Sequence, residues 1–242
     1  MVNTIAQNFE AVQTLVAQAA QAAGREAGGI ELVAVSKTQP PEAIRQVIDC
    51  GHLLFGESRL QEARAKIPTL PAKVRWHFIG HLQKNKIRQA LPLFELFHGV
   101  DSLALAGDMS RIAAELGLFP KILLEVNVAG EASKFGFSPE ELRSELEALL
   151  ALDRLQILGL MTIAPFAEET EASRKYFALL RNVRDELQTS FKVQLPHLSM
   201  GMSGDYAVAV QEGATIVRIG TAIFGPRRAK ALRASDALSQ GD

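Results

Sequence analysis

The sequence alternates short apolar runs with longer stretches of helical periodicity, and this alternation restricts its possible folds more than any other feature. Eight of the runs are apolar or β-branched and are followed by turn residues, which is typical of strands. Strands that alternate with helices at intervals of roughly 20 to 40 residues build a parallel sheet. The predicted strands cover residues 32–35, 53–55, 77–79, 96–100, 122–128, 157–161, 195–199 and 215–219.

Eight strand–helix repeats predict an α/β protein, a single (β/α)8 TIM barrel. Apolar residues at helical spacing over residues from about 5 to 24 predict an extra N-terminal helix that ends at Gly24. The competing fold is a doubly wound open sheet, which normally has a glycine-rich turn after its first strand. Here Ser-Lys-Thr-Gln-Pro-Pro follows that strand, without a glycine.

The chain has 242 residues, a length that suits one large barrel or two small domains. Because no Pro-, Ser- or Gly-rich linker interrupts the alternation, we predict a single domain over residues 1–230. Residues 231–242 are predicted to form a flexible C-terminal tail.

Composition excludes several functions. Lys plus Arg number 26 against 27 for Asp plus Glu, a net charge of −1, so no overall positive field attracts nucleic acid or an anionic membrane. Cys50 is the single cysteine, and His77, His81 and His98 lack zinc-ligand spacing, so we predict no metal site. The N-terminus lacks a basic region followed by an apolar run, and we expect a soluble, cytoplasmic protein.

Lys37 continues the inward phase predicted for the first strand. Val33, Val35 and Lys37 are two residues apart and therefore share one face. If that face lines the barrel, desolvation lowers the lysine pKa, and a neutral amine can form a Schiff base with an aldehyde. The alternative is a structural lysine whose ammonium reaches solvent from the strand end.

Arg218 follows the same logic in the eighth strand, where it shares a face with Ile216 and Gly220. A buried guanidinium needs a partner. That partner is either a structural carboxylate, such as Glu57 or Asp101, or an acceptor atom of a ligand.

Two glycine turns follow the seventh and eighth strands. The first is Ser-Met-Gly-Met-Ser-Gly-Asp over residues 199–205, and the second contains Gly220 and Thr221. Loops at these places hold phosphate in many barrels, and N–H groups at the start of a helix favour an anion. The alternative is that Ser203 only caps a helix.

Several segments resemble the pyridoxal phosphate homeostasis proteins. They are Leu-Val-Ala-Val-Ser-Lys-Thr at 32–38, Trp-His-Phe-Ile-Gly-His-Leu-Gln at 76–83, and Ser-Met-Gly-Met-Ser-Gly-Asp-Tyr at 199–206. The resemblance runs from Asn8 to Arg228. Those proteins are similar to the N-terminal barrel of alanine racemase and bind pyridoxal 5'-phosphate (PLP) without a settled catalytic activity.

The resemblance implies a role for each candidate. Lys37 forms the Schiff base, Arg218 faces the pyridine nitrogen, and the phosphate is held by Ser203, Gly204, Gly220 and Thr221. Ser58 and Met200 complete the expected cofactor-binding set. Ser58 stands where the family usually has Asn, and it offers a shorter hydroxyl in place of an amide.

The leading hypothesis is a monomeric, non-enzymatic protein that buffers PLP and delivers it to PLP-requiring apo-enzymes. The first alternative is a racemase-like PLP enzyme. Arg218 argues against decarboxylases and aminotransferases, because a guanidinium disfavours protonation of the pyridine nitrogen and weakens the electron sink. Racemisation survives that argument, but it needs a second acid or base opposite Lys37, and we expect none there. The second alternative is an aldolase that uses Lys37 without a cofactor.

Overall fold

Eight parallel strands close into a barrel in which each strand pairs with the next and the last pairs with the first. The computed structural model describes residues 4–131 and 134–226, so the predicted tail and the end of the predicted domain lie outside the described residues. The TIM-barrel prediction is confirmed. The strands are β1 (Glu31–Val35), β2 (Leu54–Glu57), β3 (Arg75–Phe78), β4 (Leu96–Val100), β5 (Lys121–Glu125), β6 (Gln156–Met161), β7 (His197–Ser199) and β8 (Ile216–Ile219).

Helices surround the strands. They are α1 (Ile5–Ala22), α2 (Pro41–Asp49), α3 (Leu60–Lys66), α4 (Ile87–Ala90), α5 (Leu103–Leu116), α6 (Pro139–Leu150), α7 (Arg174–Phe191), α8 (Tyr206–Gln211) and α9 (Thr221–Phe224). No helix in the described ranges combines the length and the apolar character needed to cross a membrane.

The N-terminal helix α1 is present as predicted and begins with a capping box between Thr4 and Gln7. Its buried residues, among them Phe9 and Val12, pack toward α8, α9 and α2. The side chain of Asn8 donates to the carbonyl of Ile223 at 3.2 Å. Because α9 has only four residues, α1 covers the part of the barrel that a longer final helix would cover.

An apolar layer fills the interior of the barrel. It consists of Val33, Leu54, Leu96, Leu123, Met161 and Ile216. Side chains in a strand alternate between faces, so the residue two positions after Leu123 or Ile216 also faces inward. Those residues are Glu125 and Arg218, and they make the carboxyl end of the barrel polar.

Strand five differs from its prediction, because β5 ends at Glu125 and not at Val128. The chain after it turns back, and Phe137 takes over the pairing. The N–H of Phe137 donates to the carbonyl of Glu125, and the N–H of Asn127 donates to the carbonyl of Phe137, each at 2.9 Å. Glu125 is therefore the last residue of its strand, at the mouth of the barrel.

Candidate functional site

Lys37 is half-buried and lies in a turn directly after β1. The turn is closed by the N–H of Gln39, which donates to the carbonyl of Ser36 at 3.0 Å. Thr38 has a φ of +66°, a value uncommon for a β-branched residue. Its N–H donates to Oε2 of Glu62 at 2.7 Å, so a side chain of α3 holds this strained turn.

A buried ion pair between α3 and β2 holds the same turn. Nζ of Lys66 lies 2.8 Å from Oε1 of Glu57 and donates to the carbonyl of Ser36 at 2.9 Å. The hydroxyl of Ser36 donates to the same carboxylate oxygen at 2.7 Å. Burial raises the pKa of Glu57, and the Lys66 ammonium opposes that rise. These contacts fix the end of β1 to the end of β2 and to α3.

Arg218 is buried in the barrel, and its hydrogen bonds within the described residues go to neutral oxygens. Nη1 donates to the carbonyl of Ser199 at 2.9 Å and to its hydroxyl, and Nη2 donates to the carbonyl of Thr162 at 3.0 Å. Burial lowers the pKa of Arg218 to about 10, while the charges of Glu125 and Asp205 oppose the shift. The guanidinium is therefore a cation at neutral pH.

Neither structural carboxylate considered for Arg218 forms a hydrogen bond with it. Glu57 pairs with Lys66, and Oδ2 of Asp101 lies 2.9 Å from Nδ1 of His81. Glu57 and Asp101 are therefore not its partners, whereas the charges of Glu125 and Asp205 act on the guanidinium without a hydrogen bond in the described residues. The ligand acceptor stays a prediction.

Two histidines extend the hydrogen bonding of Arg218 through the barrel interior. Nδ1 of His98 lies 2.8 Å from the hydroxyl of Ser199, and its Nε2 lies 3.0 Å from Nδ1 of His77. Burial lowers the pKa of His77 to about 4 and that of His98 well below its usual value. Both rings are neutral at pH 7. Within residues 4–131 and 134–226, no cluster of His, Cys, Asp or Glu could hold a metal ion.

The two glycine turns touch each other. The N–H of Ala222 donates to the hydroxyl of Ser203 at 3.2 Å, which joins the loops after β7 and β8. Ser203 does not cap α8, whose N-cap is Asp205; its hydroxyl instead accepts the N–H of the second residue of α9. Gly220 comes close to the end of β1, because a Cβ there would lie 3.2 Å from the carbonyl oxygen of Val35.

Backbone donors remain in these turns. In the described part of the chain, no protein acceptor binds the N–H groups of Ser203 and Gly204. The two turns and the Lys37 turn follow β7, β8 and β1, which are neighbours in the closed barrel. The structure therefore brings the predicted lysine and the predicted phosphate donors to one side of the mouth.

Ser58 lies in a groove and Met200 lies in the hydrophobic core. Ser58 follows β2 and lines a groove of about 290 Å³ together with Phe78, His81 and Lys86. Met200 is completely buried, and its side chain belongs to the core between barrel and helices. Ligand contacts by these two residues stay predictions.

Glu125 is a candidate that the sequence analysis missed. It ends β5, which is four strands from β1 in either direction around the barrel, so it lies across the mouth from the Lys37 turn. Burial raises the pKa of its carboxyl to about 7; the charge of Arg218 lowers that pKa and the charge of Asp101 raises it. The sequence does indicate this position, since Glu125 is two residues after Leu123, which faces the barrel interior. The prediction placed Glu125 in the middle of a strand that ran on to Val128 and not at the strand end, where site residues lie.

Comparison with known proteins identifies a family and a close match in sequence. A family model described as the N-terminal domain of alanine racemase matches residues 3–228. The pyridoxal phosphate homeostasis protein of Aquifex aeolicus is 45% identical over 214 residues, which is 88% of this chain and 94% of the relative.

Solved structures extend the comparison. PipY of Synechococcus elongatus PCC7942, solved with PLP bound, is 42% identical, with a TM-score of 0.77 over 87% of this chain and all of PipY. Alanine racemase of Clostridium difficile is 17% identical, with a TM-score of 0.69 over 90% of this chain and 60% of the racemase. The likeness to the racemase shows a shared fold alone.

Proposed function

The chain belongs to the family of the alanine racemase N-terminal domain and, within it, to the pyridoxal phosphate homeostasis proteins, and from that premise we propose that it binds PLP as a Schiff base with Lys37. One observation carries the proposal: a half-buried lysine, a buried guanidinium and two joined glycine turns lie at one end of one barrel. When bound, PLP supplies an aldehyde that reacts reversibly with amines.

The residues at the mouth fit such a ligand. The backbone N–H groups of Ser203 and Gly204 and the hydroxyl of Thr221 are donors suited to a phosphate group. Because the Ser203 oxygen accepts from Ala222, its own hydrogen is left to donate. Gly220 keeps this loop close to the end of β1 and thus to Lys37.

Arg218 favours binding over catalysis. Its cation is held by Ser199 and Thr162 and cannot move away from the barrel interior without losing those bonds. A fixed positive charge beside the pyridine nitrogen opposes its protonation, which a strong electron sink requires. We therefore propose a carrier that buffers PLP and delivers it to apo-enzymes without turning over amino acids.

The racemase-like alternative gains one observation, which is the carboxyl of Glu125 across the mouth from Lys37. A two-base racemase needs a group in such a place. Incubation of the protein with L-amino acids and PLP tests it: we expect no conversion beyond one equivalent of protein. Sustained conversion that Lys37→Ala abolishes would establish an enzyme.

The Schiff base is tested by borohydride reduction of the PLP-loaded protein followed by peptide mass spectrometry. We expect the mass of the reduced cofactor on Lys37 and its loss in Lys37→Ala. Lys134→Ala is the matched control, because Lys134 lies in the loop after β5 at the same mouth, and it should keep the adduct. An adduct that persists in Lys37→Ala would contradict the assignment.

A further inference from the structure

A second pocket opens beside Glu125, next to the loop after β5. It has a volume of about 170 Å³ and is lined by Glu125, Val126, Asn127, Lys134, Phe135 and Ile163. At about 30 Å³ per water molecule, this space equals roughly five or six waters, enough for a small organic ligand.

The pocket carries one group of each charge. Glu125 lines it from the end of β5, and Lys134 lines it from the following loop. Nζ of Lys134 lies 2.7 Å from Oε1 of Glu131. Because an ammonium has three N–H donors, two remain for a ligand.

Other charged groups around Glu125 are already engaged. Arg218 donates to Ser199 and Thr162. Asp101 contacts Nδ1 of His81 at 2.9 Å. Among the described residues that line the pocket, Glu125 and Lys134 are the charged ones, so the carboxyl can receive a cationic ligand from that side.

The remaining walls are apolar and accessible. Phe135 has 58% of its surface exposed and stacks on the ring of His81 with centroids 4.1 Å apart. Ile163 is 39% exposed, and Val126 is buried behind them. Exposed apolar surface of this kind is stabilised when a ligand covers it.

We propose that this pocket binds a free α-amino acid with a small apolar side chain, its ammonium group on Glu125 and its carboxylate on Lys134. This inference deepens the proposed function. The role of the pocket depends on PLP binding at Lys37, because an amino group held here lies across the mouth from that lysine. When PLP is bound, an exchange of the Lys37 amine for the ligand amine would break one C=N bond and form another. Of the two protons that the ligand ammonium would lose, one would pass to the Glu125 carboxylate and one to the nitrogen of Lys37, so no oxidant or reductant is needed.

Proton release gives the pocket a direct signature. The pKa of the Glu125 carboxyl is about 7, so about half of the molecules carry a proton there at pH 7. A ligand ammonium beside the carboxyl favours the ionised form. Binding at pH 7 should therefore release up to about half a proton per protein.

Calorimetry with three probes tests both contacts. L-leucine carries both charges, 3-methylbutylamine only the cation, and 4-methylpentanoic acid only the anion. The full-length protein is titrated without PLP and after borohydride reduction of its PLP-loaded form, in which the aldehyde can no longer react. We expect L-leucine to bind about tenfold or more tightly than either analogue, with a heat that depends on the buffer.

Variants separate the two ends of the ligand. Glu125→Gln should weaken L-leucine and the amine at least tenfold, leave the acid unchanged and remove the buffer dependence. Lys134→Met should weaken L-leucine and the acid but not the amine. Glu147→Gln, on the exposed face of α6, is the control and should behave as wild type.

Two results would overturn the proposal: no binding of L-leucine to either form of the wild-type protein, or unchanged L-leucine binding and proton release in Glu125→Gln. Because the unloaded protein is also titrated, the pocket is tested even if no reducible linkage forms on Lys37. The absence of an adduct on Lys37 would thus contradict the proposed function, whereas the absence of L-leucine binding would contradict the pocket.

Discussion

Lys66 shows how much of the site depends on one buried cation. It neutralises Glu57 and binds the carbonyl of Ser36, next to Lys37. Removal of one partner of a buried ion pair leaves the other charge uncompensated and costs about 3–5 kcal/mol. We expect Lys66→Met to lose stability of that order at pH 8.

The loss should shrink at pH 5. Without its partner, Glu57 has a folded-state pKa far above its unfolded value, so the folded state binds more protons and stability falls as pH rises. Urea unfolding at both pH values measures the difference, and Lys73→Met, at an exposed lysine, is the control. An equal loss at pH 5 and pH 8 would show that the Glu57 charge is not the cause.

Ser203 offers a test of the phosphate donors. Ser203→Ala removes one hydroxyl donor and the acceptor for the N–H of Ala222. Loss of a charge-assisted hydrogen bond costs roughly 1.5–3 kcal/mol, so PLP should bind about ten- to a hundredfold more weakly. Fluorescence titration with PLP and with pyridoxal checks this. Pyridoxal affinity should not change, and an equal loss for both would place Ser203 away from the phosphate.

At the scale of elements, the loop after β5 lines the second pocket, and Gly136 allows its tight turn. Gly136 has a φ of +110°, and a Cβ there would lie 2.9 Å from both the N of Asn127 and the carbonyl oxygen of Glu125. Gly136→Ala should cost about 1–3 kcal/mol and weaken L-leucine binding while the Lys37 adduct persists.

Gly28→Ala is the matched control for that variant. Gly28 has open space around it and no positive φ, so its stability in urea should stay within about 0.5 kcal/mol of wild type. If Gly136→Ala had the same stability as wild type, the loop would accept a Cβ without cost. That result would contradict a role for Gly136 in shaping the pocket.

Element types could be predicted from the sequence, whereas their ends could not. The apolar period of 122–128 correctly predicts a strand, but Phe137 competes for pairing after Glu125, and that competition depends on a loop of about ten residues. Lys66 was overlooked for a related reason. A lysine in the last turn of a helix reads as solvated, and only the barrel shows that it is buried against Glu57.

At the scale of the whole molecule, eight repeats predict closure of the barrel, and closure decides which side chains meet. The alternation of residues in β8 correctly predicted that Arg218 faces the barrel interior. Its partners are Ser199 at the end of β7 and Thr162 directly after β6, and they could not be chosen from spacing along the chain. The same closure places Glu125 opposite Lys37.

Closure also buries groups that respond to pH in opposite directions. His77 has a folded-state pKa of about 4, below its unfolded value, so the unfolded state binds more protons and stability falls as pH drops from about 6.5 to 4. Glu125 has a folded-state pKa of about 7, above its unfolded value, so stability falls as pH rises from about 4.5 to 7. Between pH 5 and 6.5 the two contributions oppose each other.

Single variants should separate the two contributions, each with a slope of about 1.4 kcal/mol per pH unit. Relative to wild type, Glu125→Gln should gain stability more steeply as pH rises from 5 to 6.5. His77→Gln, which keeps a polar group beside His98, should gain less steeply. Urea unfolding at half-unit intervals measures both slopes, and the double variant should return to the wild-type slope because the two residues are not in contact. Parallel curves for all four proteins would show that neither group changes its pKa on folding.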